Sequence, residues 1–321
     1  MVSANPTIPI CPKCGYDQRG EIATWESVCP VEGRCPECGL GFAWRDIFDP
    51  VRMELGWNVE HAHSLWEMFE RTPRTLLRLM IPYFYWRAVG VETPIRLWVL
   101  VRWQVLFSLV LHLLVSIPYG IGNWSGSGVQ YYGSLSELYD RAGWKGLSVP
   151  FVNAVGFPWV NLGVDYRNNN FNVWYPASQG GVLSSIFGPV FLLMGMVLLW
   201  AIVMLAIPVT RRQAKLRARH VVRAALISGL AMLFAYQGSR LAEGIDEWTR
   251  VGFTVNNQYQ RLFGAVVMPA LVLWLMVFWW SAVITGWKVR PCKAIIVLGT
   301  VASLLGGVVL LYVTSMLFGW L

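Results

Sequence analysis

The chain has 321 residues, 55% of them hydrophobic and only 14% charged, with a formal net charge of +8. Its mean hydropathy of +0.47 points away from an ordinary soluble globule and to an integral membrane protein. The positive charge does not mark a nucleic-acid binder: residues 1–50 hold four basic residues (Lys13, Arg19, Arg34, Arg45) against seven acidic ones, so a phosphate backbone would repel this head.

The stretch Met1–Ile10 has neither a basic start nor an apolar core, so no signal peptide is expected and the head should stay in the cytosol. Two pairs follow at once, Cys11-Pro12-Lys13-Cys14-Gly15 and Cys35-Pro36-Glu37-Cys38-Gly39. Two C-x2-C pairs twenty residues apart have the spacing of a tetrahedral zinc site, in which each pair grips one ion from a tight turn. Gly15 and Gly39 stand where a residue without Cβ lets the backbone fold toward the thiolates. A reducing cytosol would keep these cysteines as ligands rather than disulfides. Cys29 and Cys292 lack a partner at this spacing and read as free thiols. Four thiolates close the coordination shell, so one structural zinc is expected and no hydrolytic zinc.

The cysteine pairs carry a resemblance. Cys11-Pro12-Lys13-Cys14-Gly15-Tyr16-Asp17-Gln18-Arg19-Gly20, followed by Arg34-Cys35-Pro36-Glu37-Cys38-Gly39, resembles the head of a group of bacterial membrane proteins that begin CPxCGYDLRG…CPECG, with Gln18 in place of leucine. The match covers about forty residues. Such heads often precede a five-span domain similar to the Yip family, and Trp66 to Met80, with Arg71-Thr72-Pro73-Arg74, faintly resembles that family's pre-membrane segment. The resemblance implies a cytosolic N-terminus, a role in organising membranes or traffic, and no catalytic residues. It transfers no site residues.

Between head and membrane, residues 51–93 form a juxtamembrane amphipathic segment. Thr72-Pro73 and Thr93-Pro94 each read as an N-cap hydroxyl followed by proline at the first helical position. From Pro73, Leu76, Leu77 and Met80 with Arg74 and Arg78, then Tyr83 to Trp86, suit either a helix in the headgroup layer or one packed on the protein itself. His61 and His63 could suggest a second metal site, but His-x-His on a helix directs its imidazoles to different faces.

Five segments are long and apolar enough to span a bilayer: approximately Pro94 to Ile117, Val182 to Pro208, Val221 to Tyr236, Leu262 to Trp287 and Ala294 to Leu321. The link Arg211 to Arg219 holds five basic residues and no acid, and Lys288, Arg290 and Lys293 flank the fifth segment. Both belong on the cytosolic side. The stretches 119–181 and 239–261 balance their charges and belong outside. The N-terminus is therefore expected inside and the C-terminus outside, in a membrane of the bacterial inner-membrane type. The long outer loop, with Tyr131-Tyr132, Trp144 and Phe157 to Val160, reads as an extracytoplasmic cap or as a segment resting on the headgroups.

Polar residues within the spans are few: Arg102, Gln104, His112, Arg223 and, near an outer end, Gln237 and Arg240, with no Asp or Glu expected inside any span. Arg102, His112 and Gln237 form the candidate intramembrane site, although the missing carboxylates weaken a coupled-transport reading. Ser125 to Gly128 offers no nucleophile, since no histidine is near it. Ser303, Gly306, Gly307 and Ser315 would allow close helix contact within the bundle or with a second copy.

The sequence thus predicts an all-α membrane protein of five transmembrane helices (residues 94–321), preceded by a small cytosolic β-type zinc ribbon (residues 1–50). Its expected role is a non-enzymatic scaffold or adaptor whose ribbon meets a cytosolic protein partner. The alternative is a transporter or channel subunit with a polar site near His112.

Overall fold

The computed structural model describes residues 9–123, 148, 151–156, 162–165, 170–173, 180–206, 216–249, 258–289 and 292–318. The basic residues Arg211, Arg212, Lys215 and Arg290, the glycine-serine run 125–128, and the aromatic positions 131, 132, 144 and 157–160 lie outside them. In chain order come α1 (Arg19–Ile22), β1 (Glu32–Arg34), β2 (Gly41–Ala43), α2 (Trp44–Phe48), α3 (Leu65–Met80), α4 (Pro82–Ala88) and α5 (Leu97–Asn123). There follow β3 (Leu162–Asp165), β4 (Asn170–Val173), α6 (Gly180–Ala206), α7 (Ala218–Ser228), α8 (Leu230–Trp248), α9 (Gln258–Leu262), α10 (Met268–Ser281) and α11 (Cys292–Phe318). Five helical stretches are long and apolar enough to cross a membrane: Leu97–Ile121, Phe187–Ala206, Ala218–Asp246, Gln258–Gly286 and Cys292–Leu317.

The chain divides into two compact units. One comprises Met1–Trp103, Val197–Ser228 and Trp274–Leu304. In it the two-stranded antiparallel sheet of β1 and β2 pairs Gly33 with Phe42, next to four clustered cysteines. The small core of the head is aromatic: Phe42 and Trp44 are buried, Trp25 meets the Trp44 ring edge-on at 4.7 Å, and Phe48 stacks on Trp44 at 5.9 Å. Further along the unit Trp86 packs on Phe278 and Trp287, at 5.3 and 5.8 Å, and Trp200 stacks flat on Trp279 at 5.5 Å.

The second unit comprises Gln104–Met196, Gly229–Leu273 and Leu305–Leu321. It holds the antiparallel pair β3–β4, in register from Leu162↔Val173 to Asp165↔Asn170, within the long loop. Here Gly195 faces Gly307, whose Cα would lie 2.8 Å from any Cβ added to Gly195, so α6 and α11 meet backbone to backbone.

Several helix boundaries differ from the sequence expectation. Pro73 lies inside α3 and starts no helix, because the cap is supplied nine residues earlier: Ser64 Oγ accepts from the Glu67 N–H at 3.1 Å, and Glu67 Oε2 accepts from the His63 N–H at 3.1 Å, in the manner of a capping box. The break falls instead at Ile81, where Pro82 opens α4. Pro94 begins no helix either; its carbonyl accepts from the His61 ring at 3.1 Å and from Arg223 Nη2 at 3.4 Å, and α5 starts at Leu97.

The third stretch runs well beyond Tyr236, to Asp246, because after a turn at Gly229 α8 continues to Trp248. It therefore includes Glu243 and Asp246, and the expectation of acid-free spans is corrected. Asp246 earns its place by accepting from the backbone N–H groups of Tyr259 and Gln260, each at 2.9 Å, which are orphan donors of the first turn of α9. A carboxylate bonded in this way caps the following helix from the last turn of α8, so its charge does not oppose helix extension.

Candidate metal centre

Two turns of the same construction present the cysteines. In the first, the Cys11 N–H donates to Tyr16 O at 2.8 Å and the Gly15 N–H to Cys11 O at 2.9 Å. In the second, Cys35 donates to Leu40 O and Gly39 to Cys35 O, both at 2.9 Å. Gly15 and Gly39 have φ of 84° and 68°, in the left-handed region where a Cβ is costly. The residues that flank the turns also pair, Ile10 with Asp17 and Arg34 with Gly41. Each turn is thereby closed on both sides.

The four sulfur atoms all lie within 4.8 Å of one another, with Cys11–Cys38 and Cys14–Cys35 each at 3.6 Å. Four thiolates around a zinc with bonds of about 2.3 Å would stand about 3.8 Å apart. The donor set therefore fits a single tetrahedral ion, and these residues could hold one. Burial pushes the thiols of Cys11, Cys14 and Cys38 up to about 11. Burial also acts on Cys35, but the backbone N–H groups of Cys38 and Glu37, with side-chain bonds to Cys14 and Cys38, outweigh it and lower that thiol. Cys29 is exposed, Cys292 is half-buried, and neither belongs to the cluster.

The first turn is held against the start of the third apolar stretch. The Arg217 N–H donates to Lys13 O at 3.1 Å, and His220 Nε2 donates to Pro12 O at 3.1 Å. Beside this contact lies a cavity of about 610 Å³, lined among others by Pro12, Phe42, Glu54, Arg96, Arg217 and His220. Elsewhere on the head, the apolar side chains of Val28 and Val31 are exposed, at 77% and 80%.

His61 and His63 do not form a metal pair with each other. His61 is buried; its Nδ1 accepts from the Leu55 N–H at 2.7 Å, which leaves Nε2–H to donate to Pro94 O at 3.1 Å. Burial lowers its pKa below the ordinary value. His63 is exposed and turned to Glu54 at 3.1 Å.

The sequence reading missed the partner of Arg223. Its Nε and Nη2 donate to Glu60 Oε2 at 2.8 and 2.7 Å, with side-chain exposures of 1% and 0%. The second oxygen of Glu60 accepts from the Arg96 N–H at 3.0 Å, and Asn58 Oδ1 accepts from the Glu60 N–H at 3.2 Å. An arginine at a span entry was the available signal, since such a charge requires a partner, but nothing local named Glu60.

Of the intramembrane candidates, Gln237 Nε2 lies 3.4 Å from His112 Nδ1. Arg240 Nη1 approaches the same nitrogen at 2.9 Å, and His112 Nε2 meets Val155 O at 2.9 Å. Ser116 Oγ donates to Ala154 O at 2.9 Å, as does an Arg240 guanidinium N–H. Arg102 has different surroundings: it is exposed and its guanidinium sits 5.9 Å above the ring of Trp98.

No protein-family model, curated protein or solved structure matches the chain.

Proposed function

We infer that the four thiolates hold one structural zinc, and that the protein is a non-enzymatic scaffold or adaptor of a bacterial inner membrane, with its N-terminus in the cytosol and its C-terminus outside. The observation that carries this reading is the asymmetry of the head. Its first turn is bonded through Lys13 and Pro12 carbonyls to the start of α7, while the apolar side chains of Val28 and Val31 are exposed. A metal-stapled head fixed at one turn, with apolar side chains exposed elsewhere, suits a platform for a protein partner. The five apolar helices and the similarity of the cysteine turns to Yip-associated heads support a membrane-organising role.

The test compares affinity capture from mild detergent by the full-length protein and by a Val28→Glu/Val31→Glu variant, with zinc content measured for both. Partners lost from the variant while zinc is retained support the adaptor reading. The same partners, or no partner, with both proteins would overturn it.

A second reading, a transporter or channel subunit, rests on the convergence of Gln237 and Arg240 on His112. Substrate-dependent flux in vesicles that falls on His112→Ala would favour it.

A further inference from the structure

The α3–α4 pair has two faces. Its inner side is tied down: Thr75 Oγ1 accepts from the Val59 N–H and donates to Trp57 O, both at 3.0 Å, and Tyr85 and Trp86 are buried. Its other side ends in an apolar tip, with Met80 at 70%, Ile81 at 53% and Phe84 at 53% exposed. The uncharged run Leu79 to Trp86 lies between the exposed Arg78 and Arg87.

Two indole N–H groups report the level of this pair along the apolar stretches. Trp103, six residues past Leu97, donates to Thr72 Oγ1 at 3.0 Å, and Trp274, twelve residues before Gly286, donates to Leu79 O at 2.8 Å. At about 1.5 Å per residue, these contacts lie roughly 9 Å and 18 Å along their respective helices. Half of a hydrocarbon core is about 15 Å. The break between α3 and α4 is therefore level with the middle of the fourth stretch.

The break also meets two of its carbonyls from within the protein. A helix end leaves carbonyls without intrahelical partners, and in hydrocarbon an unmet group has no water to turn to. Here the Leu79 carbonyl is met by Trp274, the Ile81 carbonyl by the Phe84 N–H at 3.0 Å, and Pro82 brings no N–H at all.

We propose that α3 and α4 form a re-entrant hairpin whose tip, Met80 to Phe84, lies among the acyl chains of one leaflet rather than in the headgroup layer. The proposal rests on the five apolar stretches being membrane spans. The hairpin would broaden the protein on one side of the bilayer only, which gives a scaffold a means of favouring curved membrane.

The test uses the unmodified full chain in phosphatidylcholine–phosphatidylglycerol vesicles that contain a phospholipid with a diazirine at mid-acyl chain. After irradiation, adducts are mapped by proteolysis and mass spectrometry. Met80, Ile81 and Phe84 should be labelled to a degree comparable with the exposed Leu109 and Leu113 of α5, with no labelling at Val28 or Val31. Labelled α5 with an unlabelled tip would overturn the proposal and would mean that protein, such as a second copy, or water covers it. Tip labelling only by a headgroup-borne diazirine would overturn it as well. Unlabelled α5 would overturn the five-span reading and the hairpin with it.

Discussion

Glu60 and Arg223 are joined across 163 residues of sequence by an ion pair at 2.7 Å that is closed to solvent. It ties the pre-membrane segment to the third apolar stretch, and the same carboxylate holds the Arg96 N–H at the start of α5. Removing one partner of a buried pair leaves the other charge uncompensated, at a cost of about 3–5 kcal/mol. Glu60→Gln should lower the thermal midpoint in detergent far more than the double change Glu60→Leu/Arg223→Met, in which neither charge remains. Equal losses in the two variants would show that the pair is not coupled.

The metal centre gives a composition test. Zinc binding by such a set is worth on the order of 10–16 kcal/mol near neutral pH, which is large beside a core of a few aromatic side chains. Cys38→Ser should lose the single equivalent of zinc and render residues 9–50 sensitive to protease while leaving membrane insertion intact. Zinc content unchanged by mass spectrometry would remove Cys38 from the ligand set. Because Cys11, Cys14 and Cys38 hold their protons up to about 11, loading a metal-free head should release protons, and affinity should fall as the pH is lowered. A calorimetric titration in buffers of different ionisation enthalpy measures that release.

His61 supplies a stability signal with a definite sign. Burial lowers its folded pKa from 6.5, so the neutral ring is favoured in the fold and protonation favours the unfolded chain. The contribution is complete above the unfolded value near 6.5 and is lost as the pH falls through the folded value. The thermal midpoint should thus decline below about 6.5, and His61→Gln, which removes the titrating group, should flatten that decline. An identical pH profile in the variant would assign the decline to other groups.

The parts legible in the sequence are those encoded over short distances. Cys-Pro-x-Cys-Gly states its own turn, since two thiols and a left-handed glycine specify it locally, and apolar runs of about twenty residues state the spanning helices. Helix boundaries were harder to read, because Thr72-Pro73 resembles a start whereas the actual cap lies at Ser64. The acids at 243 and 246 read as loop residues, because the Tyr259 and Gln260 N–H groups that bond Asp246 lie 13 and 14 residues away. Glu60–Arg223 and Trp274–Leu79 depend on tertiary placement, and no local pattern contains them.

The glycines of α6 and α11 show how that placement constrains single residues. A Cβ on Gly195 would strike the carbonyl of Gly306 and approach the Gly307 Cα to 2.8 Å, and one on Gly307 would meet Leu192 O at 2.8 Å. These glycines therefore serve a contact within the chain, one of the two uses open from sequence alone. Backbone atoms cannot yield as a side-chain end can, so Gly195→Ala should force α6 and α11 apart and cost about 1–3 kcal/mol. Gly264→Ala, where nothing beyond its chain neighbours and its own helix backbone stands within 4 Å of the added carbon, provides the control. Thermal midpoints of the two variants in the same detergent make the comparison: a drop at Gly195 with none at Gly264 places the close contact inside the monomer, whereas a drop at neither would show that α6 and α11 do not pack at these glycines.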